Sequence, residues 1–138
     1  MQITDNQFRL QLRVYYEDTD AGGVVYYANY LAFMERARTE WLRSLGHENQ
    51  QLLDEQGVVF AVRRARIDYL SPARLDELLE VTVSIRQLKR ASLVFDQQVV
   101  RADELLCKGE ITLVCVDHER FRPTAIPDSI MQEINNVR

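Results

Sequence analysis

Between Val58 and Val116 the chain carries four successive runs rich in β-branched and aromatic residues, joined by mostly short links. Val58 to Tyr69 is the first, and Leu93 to Arg101 and Leu106 to Val116 are the last two. In the second, Leu79, Val81, Val83 and Ile85 alternate with Glu80, Thr82, Ser84 and Arg86, the period of a half-buried strand. Lys89-Arg90-Ala91 and Ala102-Asp103-Glu104 are turn-length links, short enough for antiparallel neighbours, while Ser71 to Leu78 is wider. A fifth strand precedes them, because Phe8, Leu10, Leu12, Val14 and Tyr16 alternate with Arg9, Gln11, Arg13 and Tyr15. Only one long segment breaks this habit. Leu31, Met34, Ala37, Trp41 and Leu45 recur at helical spacing until Gly46 closes the run, and a shorter helix is expected over Asn49 to Glu55, with Gly57 at its end. One helix of about four turns and about five strands make an α+β fold, the helix packed on one face of an antiparallel sheet.

The 138 residues suffice for one domain, 1–138, with no room for a separate cofactor domain. A hydrophobic content of 46%, with 3 Pro and 5 Gly, supports a sizeable core and excludes the composition of a disordered or collagenous chain. Seventeen basic against 21 acidic residues give a net charge of -4, which argues against nucleic acid or an anionic membrane as a general partner. The stretch Met1 to Leu10 lacks the basic start and apolar run of a secretory signal. The longest nearly apolar window, Gly22 to Met34, is too short to span a bilayer, so the expectation is a cytoplasmic protein without a transmembrane segment. Cys107 and Cys115 fall in one extended run, about 26 Å apart at roughly 3.3 Å per residue, and cannot pair with each other. His47 and His118 have no Cys or His at ligand spacing, so no metal site is expected from them.

Chemistry-bearing residues concentrate between the first strand and the long helix, in Tyr15-Tyr16-Glu17-Asp18-Thr19-Asp20-Ala21-Gly22-Gly23-Val24-Val25-Tyr26-Tyr27-Ala28-Asn29-Tyr30. The glycines let the backbone approach a ligand, and the helix start just downstream offers N–H donors and a positive dipole end. A carboxylate and a donor set able to stabilise an oxyanion thus stand within about ten residues. From pattern alone a plainer reading also fits: an acidic turn in which Thr19 and Asp20 bond local backbone and Asn29 caps the helix. On the helix itself, Glu35 with Arg38 and Arg36 with Glu40 are spaced for surface ion pairs worth a few tenths of a kcal/mol.

Asp18-Thr19-Asp20-Ala21-Gly22-Gly23-Val24-Val25-Tyr26-Tyr27-Ala28-Asn29-Tyr30, followed by Phe33-Met34-Glu35-Arg36-Ala37-Arg38-Thr39-Glu40, closely resembles the YbgC and 4-hydroxybenzoyl-CoA thioesterase family of hotdog-fold acyl-CoA hydrolases. Pro123-Thr124-Ala125-Ile126-Pro127 after the last strand is similar as well. The resemblance implies a sheet wrapped around one long central helix, a homodimer or homotetramer with sites at the subunit interface, and, for the YbgC branch, a link to the Tol-Pal gene cluster. It makes Asp20 the catalytic carboxylate, as nucleophile or as general base, and the Tyr27 backbone N–H the oxyanion donor. Asp18 becomes its turn partner. Where the YbgC branch commonly has His, this sequence has Tyr27, which keeps the backbone role and removes any imidazole. Substrate-binding candidates are Gly23, Val24, Tyr26 and Asn29, with Tyr26, Tyr27 and Tyr30 as an aromatic wall suited to a short or aromatic acyl group. Coenzyme A enters as part of the substrate, not as a cofactor. Its phosphates would meet Lys89, Arg90 and Ser92, ahead of Arg63, Arg64 and Arg66. Glu35 is a second, weaker candidate acid. Acyl carrier protein is a further partner to consider, and a noncatalytic acyl-binding module is the rival reading. A dehydratase would need a His in the motif, which is absent.

Overall fold

The computed structural model describes residues 7–137; residues 1–6, which hold most of the Met1 to Leu10 stretch considered above for a secretory signal, and residue 138 lie outside it. The element order is β1 (Phe8–Arg13), α1 (Asn29–Ser44), α2 (Asn49–Gln56), β2 (Val58–Tyr69), β3 (Leu78–Leu88), β4 (Ser92–Arg101), β5 (Glu104–Asp117), β6 (Arg122–Pro123) and α3 (Asp128–Val137). Five strands form one antiparallel sheet in the order β1-β3-β4-β5-β2, and the two-residue β6 adds to the end of β5. Because consecutive strands are joined by short links, β3, β4 and β5 lie side by side, while β1 and β2 become the two edges.

α1 lies over β1, β3 and β4 and turns Tyr30, Phe33, Met34, Ala37, Arg38, Trp41 and Leu42 inward. Leu31, expected on this stripe, is 41% exposed instead. Tyr30, one position earlier, takes the inward place, and its hydroxyl accepts the Ala73 N–H at 3.0 Å. The helix stops as the glycine signals require: Gly46 follows at φ 90° and Gly57 closes α2 at φ 67°. Against the helix pack Leu79, Val81, Val83, Leu93, Phe95 and Ile111, all essentially inaccessible to water. Burying each such side chain contributes about 1.5–3 kcal/mol, so this one cluster is the main source of stability. Gly109 on β5 marks the tightest approach, since a Cβ there would stand 2.9 Å from both Met34 Sδ and Ile67 Cδ1.

Two further details depart from the sequence-based expectation, and one element had not been expected at all. β1 ends at Arg13 rather than Tyr16, because Tyr16–Asp18 form a 3-10 turn. Neither Glu35–Arg38 nor Arg36–Glu40 forms an ion pair among the described residues; Arg38 is only 8% exposed and donates to Gln97, while Glu40 pairs with Arg43. Finally, the chain beyond Pro127 is helical: α3 docks Ile130 and Ile134 into the core at i, i+4 spacing, with the Pro127 carbonyl receiving the Ile130 and Met131 N–H groups at its start.

Candidate functional site

β1 delivers the chain into the 3-10 turn, and there the two aspartates part company. Asp18 is 3% exposed. Its Oδ2 accepts the Tyr15 N–H at 2.8 Å, its Oδ1 accepts Asn29 Nδ2 at 3.0 Å, and its carbonyl accepts the Tyr26 N–H at 2.9 Å. One buried carboxylate therefore ties the end of β1 to the start of α1, and its desolvation is offset by charge-assisted bonds. Asn29 does not cap the helix. It is the first helical residue, and its side-chain amide is spent on Asp18.

Asp20 is exposed, two residues on. Its N–H donates to the Val24 carbonyl at 2.9 Å, its carbonyl accepts the Gly23 N–H at 3.1 Å, and its Oδ1 accepts the Gly22 N–H at 2.8 Å. Thr19 Oγ1 donates to the Tyr16 carbonyl at 2.7 Å. The local bonding of the plainer acidic-turn reading is thus present, and it leaves the Asp20 carboxylate held in place and facing water. Gly23 closes the turn at φ 77°, a conformation that disfavours any side chain. A Cβ on Gly22 would sit 3.2 Å from Asp20 Oδ1, so a larger residue there would press on the carboxylate itself. Val24 and Val25 then pair with the chain at Arg74 and Thr19, and the Val25 N–H donates to the Ala73 carbonyl at 2.8 Å.

The approach to α1 supplies donors. Ala28 precedes the helix with φ -70° and ψ -21° and provides no side-chain cap. The Tyr26 carbonyl accepts the Asn29 N–H at 2.8 Å, which turns the Tyr27 N–H on the same peptide plane the other way. The Tyr27 and Ala28 N–H groups have no hydrogen-bond acceptor among the described residues, at the positive end of a 16-residue helix. The Tyr26 and Tyr27 rings meet at a tilt of 53°, with 4.9 Å between ring centroids. Tyr27 raises the pKa of the Tyr26 phenol, and the nearby Asp20 charge adds to the shift. Burial raises that of Tyr30. Beside these groups a cleft of about 270 Å³ is lined by Val25, Tyr27, Tyr30, Tyr69, Leu70, Ser71 and Pro72. The β2 end of this wall, Tyr69 to Pro72, was not singled out in the sequence; nothing in its local pattern signals a contact with a segment some forty positions away.

The basic candidates lie elsewhere. The Asp20 turn adjoins the start of β3, where the Val14 N–H donates to the Glu77 carbonyl. Lys89, Arg90 and Ser92 form the turn after β3, about 33 Å away along an 11-residue strand at roughly 3.3 Å per residue. Within one chain they do not reach Asp20. Arg63, Arg64 and Arg66 are all exposed on the edge strand, and a bulge between Val62 and Arg64 interrupts the simple alternation expected of them. Glu35 is exposed on α1 at the rim of a separate, largely apolar pocket of about 220 Å³ under Trp41, Phe60 and Ile130, about 9 Å along the helix from Asn29. No group of three or more residues placed to hold a metal ion occurs among the described residues. No described helix is long and apolar enough to cross a membrane.

A sheet curled over one long helix, with an acid-bearing glycine turn at the helix start, is the hotdog architecture of thioester hydrolases, and the wider comparisons agree. The family model described as "Thioesterase superfamily" matches residues 22–108. The chain belongs to this superfamily and is an enzyme of the thioester-hydrolase class. It is 51% identical over 127 residues to the acyl-CoA thioester hydrolase YbgC of Escherichia coli O6:H1, covering 91% of this chain and 94% of that one. It is 44% identical over 136 residues to the acyl-CoA thioesterase YbgC of Haemophilus influenzae, covering 99% and 100%. Among solved structures, the 1,4-dihydroxy-2-naphthoyl-CoA thioesterase of Synechocystis superposes with a TM-score of 0.87 at 25% identity, over 94% of this chain and 96% of that one.

Proposed function

We propose that the protein hydrolyses acyl-CoA thioesters, with Asp20 as the reacting carboxylate and the Tyr27 N–H as the oxyanion donor. The observation that supports this reading is an exposed, backbone-anchored carboxylate on the turn that leads into a helix start whose outermost N–H donors are uncommitted. Thioester cleavage needs little more, because a thiolate leaves readily once the carbonyl has been attacked. In one route Asp20 attacks the carbonyl carbon, the oxyanion rests on the Tyr27 N–H, the thiolate departs and takes a proton from water, and a second water opens the resulting anhydride. In the other Asp20 takes a proton from the attacking water and returns it to the thiolate. Neither needs the imidazole that Tyr27 replaces. The cleft beside the turn falls below the roughly 300 Å³ of a drug-sized site, and its tyrosine walls favour a short-chain or aromatic acyl group.

The phosphate-binding role of Lys89, Arg90 and Ser92 requires a second copy of the chain. β2 is a 12-residue edge with Val62 and Arg63 to Arg66 exposed, an open template for another strand. A two-fold, antiparallel pairing across β2 sets the Tyr69 end of one protomer beside the Val58 end of its partner. The Val58 end is the end that carries the Lys89 turn, since Val58 faces Asp117 and Ser92 faces Val114 on β5. Each acid turn would then lie near basic groups of the other protomer. Sedimentation of the pure protein tests this: a dimer or larger is expected, and a monomer at micromolar concentration removes the shared site.

The functional test is thiol release from short-chain, long-chain and aromatic acyl-CoA esters by wild type and Asp20→Asn. Hydrolysis of one group is expected, with the variant folded and slower by at least about a hundredfold, nearly 3 kcal/mol of barrier. Saturable binding with the thioester left intact would mark a binding module instead. Full activity in the variant would remove Asp20 from its role and direct attention to Glu35.

A further inference from the structure

We infer that Tyr69 is a positioning residue for thioester cleavage, its hydroxyl fixing the Tyr27 peptide so that the oxyanion-binding N–H is aimed before substrate arrives; this rests on the hydrolase reading above. Tyr69 is the last residue of β2, and its Oη donates to the Tyr27 carbonyl at 3.0 Å across 42 positions of sequence. That carbonyl stands just outside α1, where the first helical turn leaves it without a helical partner: the Asn29 N–H goes to Tyr26 and the Leu31 N–H to Ala28. Tyr27 is therefore bracketed. Asn29 anchors the carbonyl before its N–H, and Tyr69 anchors the carbonyl after it.

The anchor, although 46% exposed, is itself held by the sheet and by two aromatic neighbours. Tyr69 faces Cys107 in the β2–β5 register, and the next two N–H groups, of Leu70 and Ser71, both donate to the Leu106 carbonyl at 2.9 and 3.1 Å. The ring packs edge-on against Tyr27 at 6.1 Å and 89°, and against Tyr30 at 5.5 Å and 67°. Tyr30 is in turn held by the Ala73 N–H. Burial, reinforced by neighbouring Cys107, Tyr27 and Tyr30, raises the pKa of the Tyr69 phenol, so the hydroxyl keeps its proton and remains a donor across neutral pH. The sheet thus reaches over to the start of the helix through one phenol. This matters because the donor of an oxyanion hole acts through its placement before reaction, and removing such a donor altogether typically costs a hundredfold or more in turnover. Loosening one of its two anchors should cost less.

Tyr69→Phe deletes the hydroxyl and keeps the ring. With the acyl-CoA that wild type cleaves best, kcat should fall about tenfold while KM stays within about twofold and the melting temperature is essentially unchanged. Tyr69→Leu, which also removes the cleft wall, should raise KM in addition. A general loosening of structure would move KM, kcat and melting temperature together in Tyr69→Phe, and would overturn the inference. So would unchanged kcat in that variant while Asp20→Asn is inactive, a result that leaves the hydrolase reading standing. If wild type cleaves no ester, that reading fails separately, and the backbone amide resonance of Ala28, which shares the peptide plane of the Tyr27 carbonyl, decides the point. A shifted and broadened Ala28 signal in Tyr69→Phe supports the anchor, and an unchanged one removes it.

Discussion

The start of α1 and its middle turn handle polar groups in opposite ways. In the middle, Arg38 is nearly buried and bonded within the core: its Nη1 donates to Gln97 Oε1 at 2.9 Å, and Gln97 Nε2 donates to the Met34 carbonyl at 3.1 Å and the Thr82 carbonyl at 3.3 Å. Burial lowers the Arg38 pKa, with the Glu35 charge opposing the shift. This network locks helix to sheet. At the helix start the tying is done one step back, by Asp18 and Asn29, and the outermost donors are left open to water. A chain built only for stability would cap that end, since a good N-cap contributes about 1 kcal/mol. Leaving it open while anchoring everything behind it is how a fold reserves donors for a ligand.

Breaking the two ends should therefore give different losses. At the helix start, Asp20→Asn removes at least about a hundredfold of turnover with little change in stability, the largest effect expected. At the middle turn, Gln97→Leu strands the Arg38 guanidinium and two carbonyls, and should lower unfolding free energy by about 2–3 kcal/mol. Its rate per folded molecule should stay within about twofold of wild type, so denaturant titration and steady-state kinetics on the same sample separate the two regions. Lost turnover at unchanged stability would place Arg38 and Gln97 in the chemistry and erase the distinction.

The sequence made the elements and the acidic turn legible because both are local signals. Periodicity over Leu79 to Ile85 and over Met34 to Leu45 reports burial directly, and the acid-glycine run reports a turn beside a helix start. What escaped involves partners far apart in sequence. Asp18 and Asn29 are 11 positions apart, and Tyr69 and Tyr27 are 42, so no window of a few residues contains either bond. Arg38 was read as a surface partner of Glu35, although it shares the face of Met34, Ala37, Trp41 and Leu42; the inward stripe was visible, and the rule for charged neighbours overrode it. Burial along β2 was also unreadable, since the bulge between Val62 and Arg64 breaks its alternation and Val62 to Arg66 are all exposed, whereas β1, the other edge, alternates as its sequence does. α3 was overlooked because its apolar signal, Ile130, Met131 and Ile134, is only three residues long.

The smallest expected effect belongs to the sheet behind the cleft, and it sharpens the contrast from the packed side. Cys107 and Cys115 stand on β5, both inaccessible to water. Burial pushes the Cys107 thiol up to about 12, with Asp68 adding to the shift, and the Cys115 thiol to about 11. Since reaction requires the thiolate, raised values leave roughly one part in ten thousand of Cys107 and one in a thousand of Cys115 ionised at pH 8. A disulfide-exchange reagent should thus find essentially no thiol in the native protein and two after denaturation. Cys107 pairs with Tyr69, the residue that anchors the donor peptide, so its silence also reports that this end of the sheet stays closed. Labelling of Cys107 without denaturant would mean that β2 and β5 part there, and a Tyr69 on such a strand could not hold Tyr27 in register.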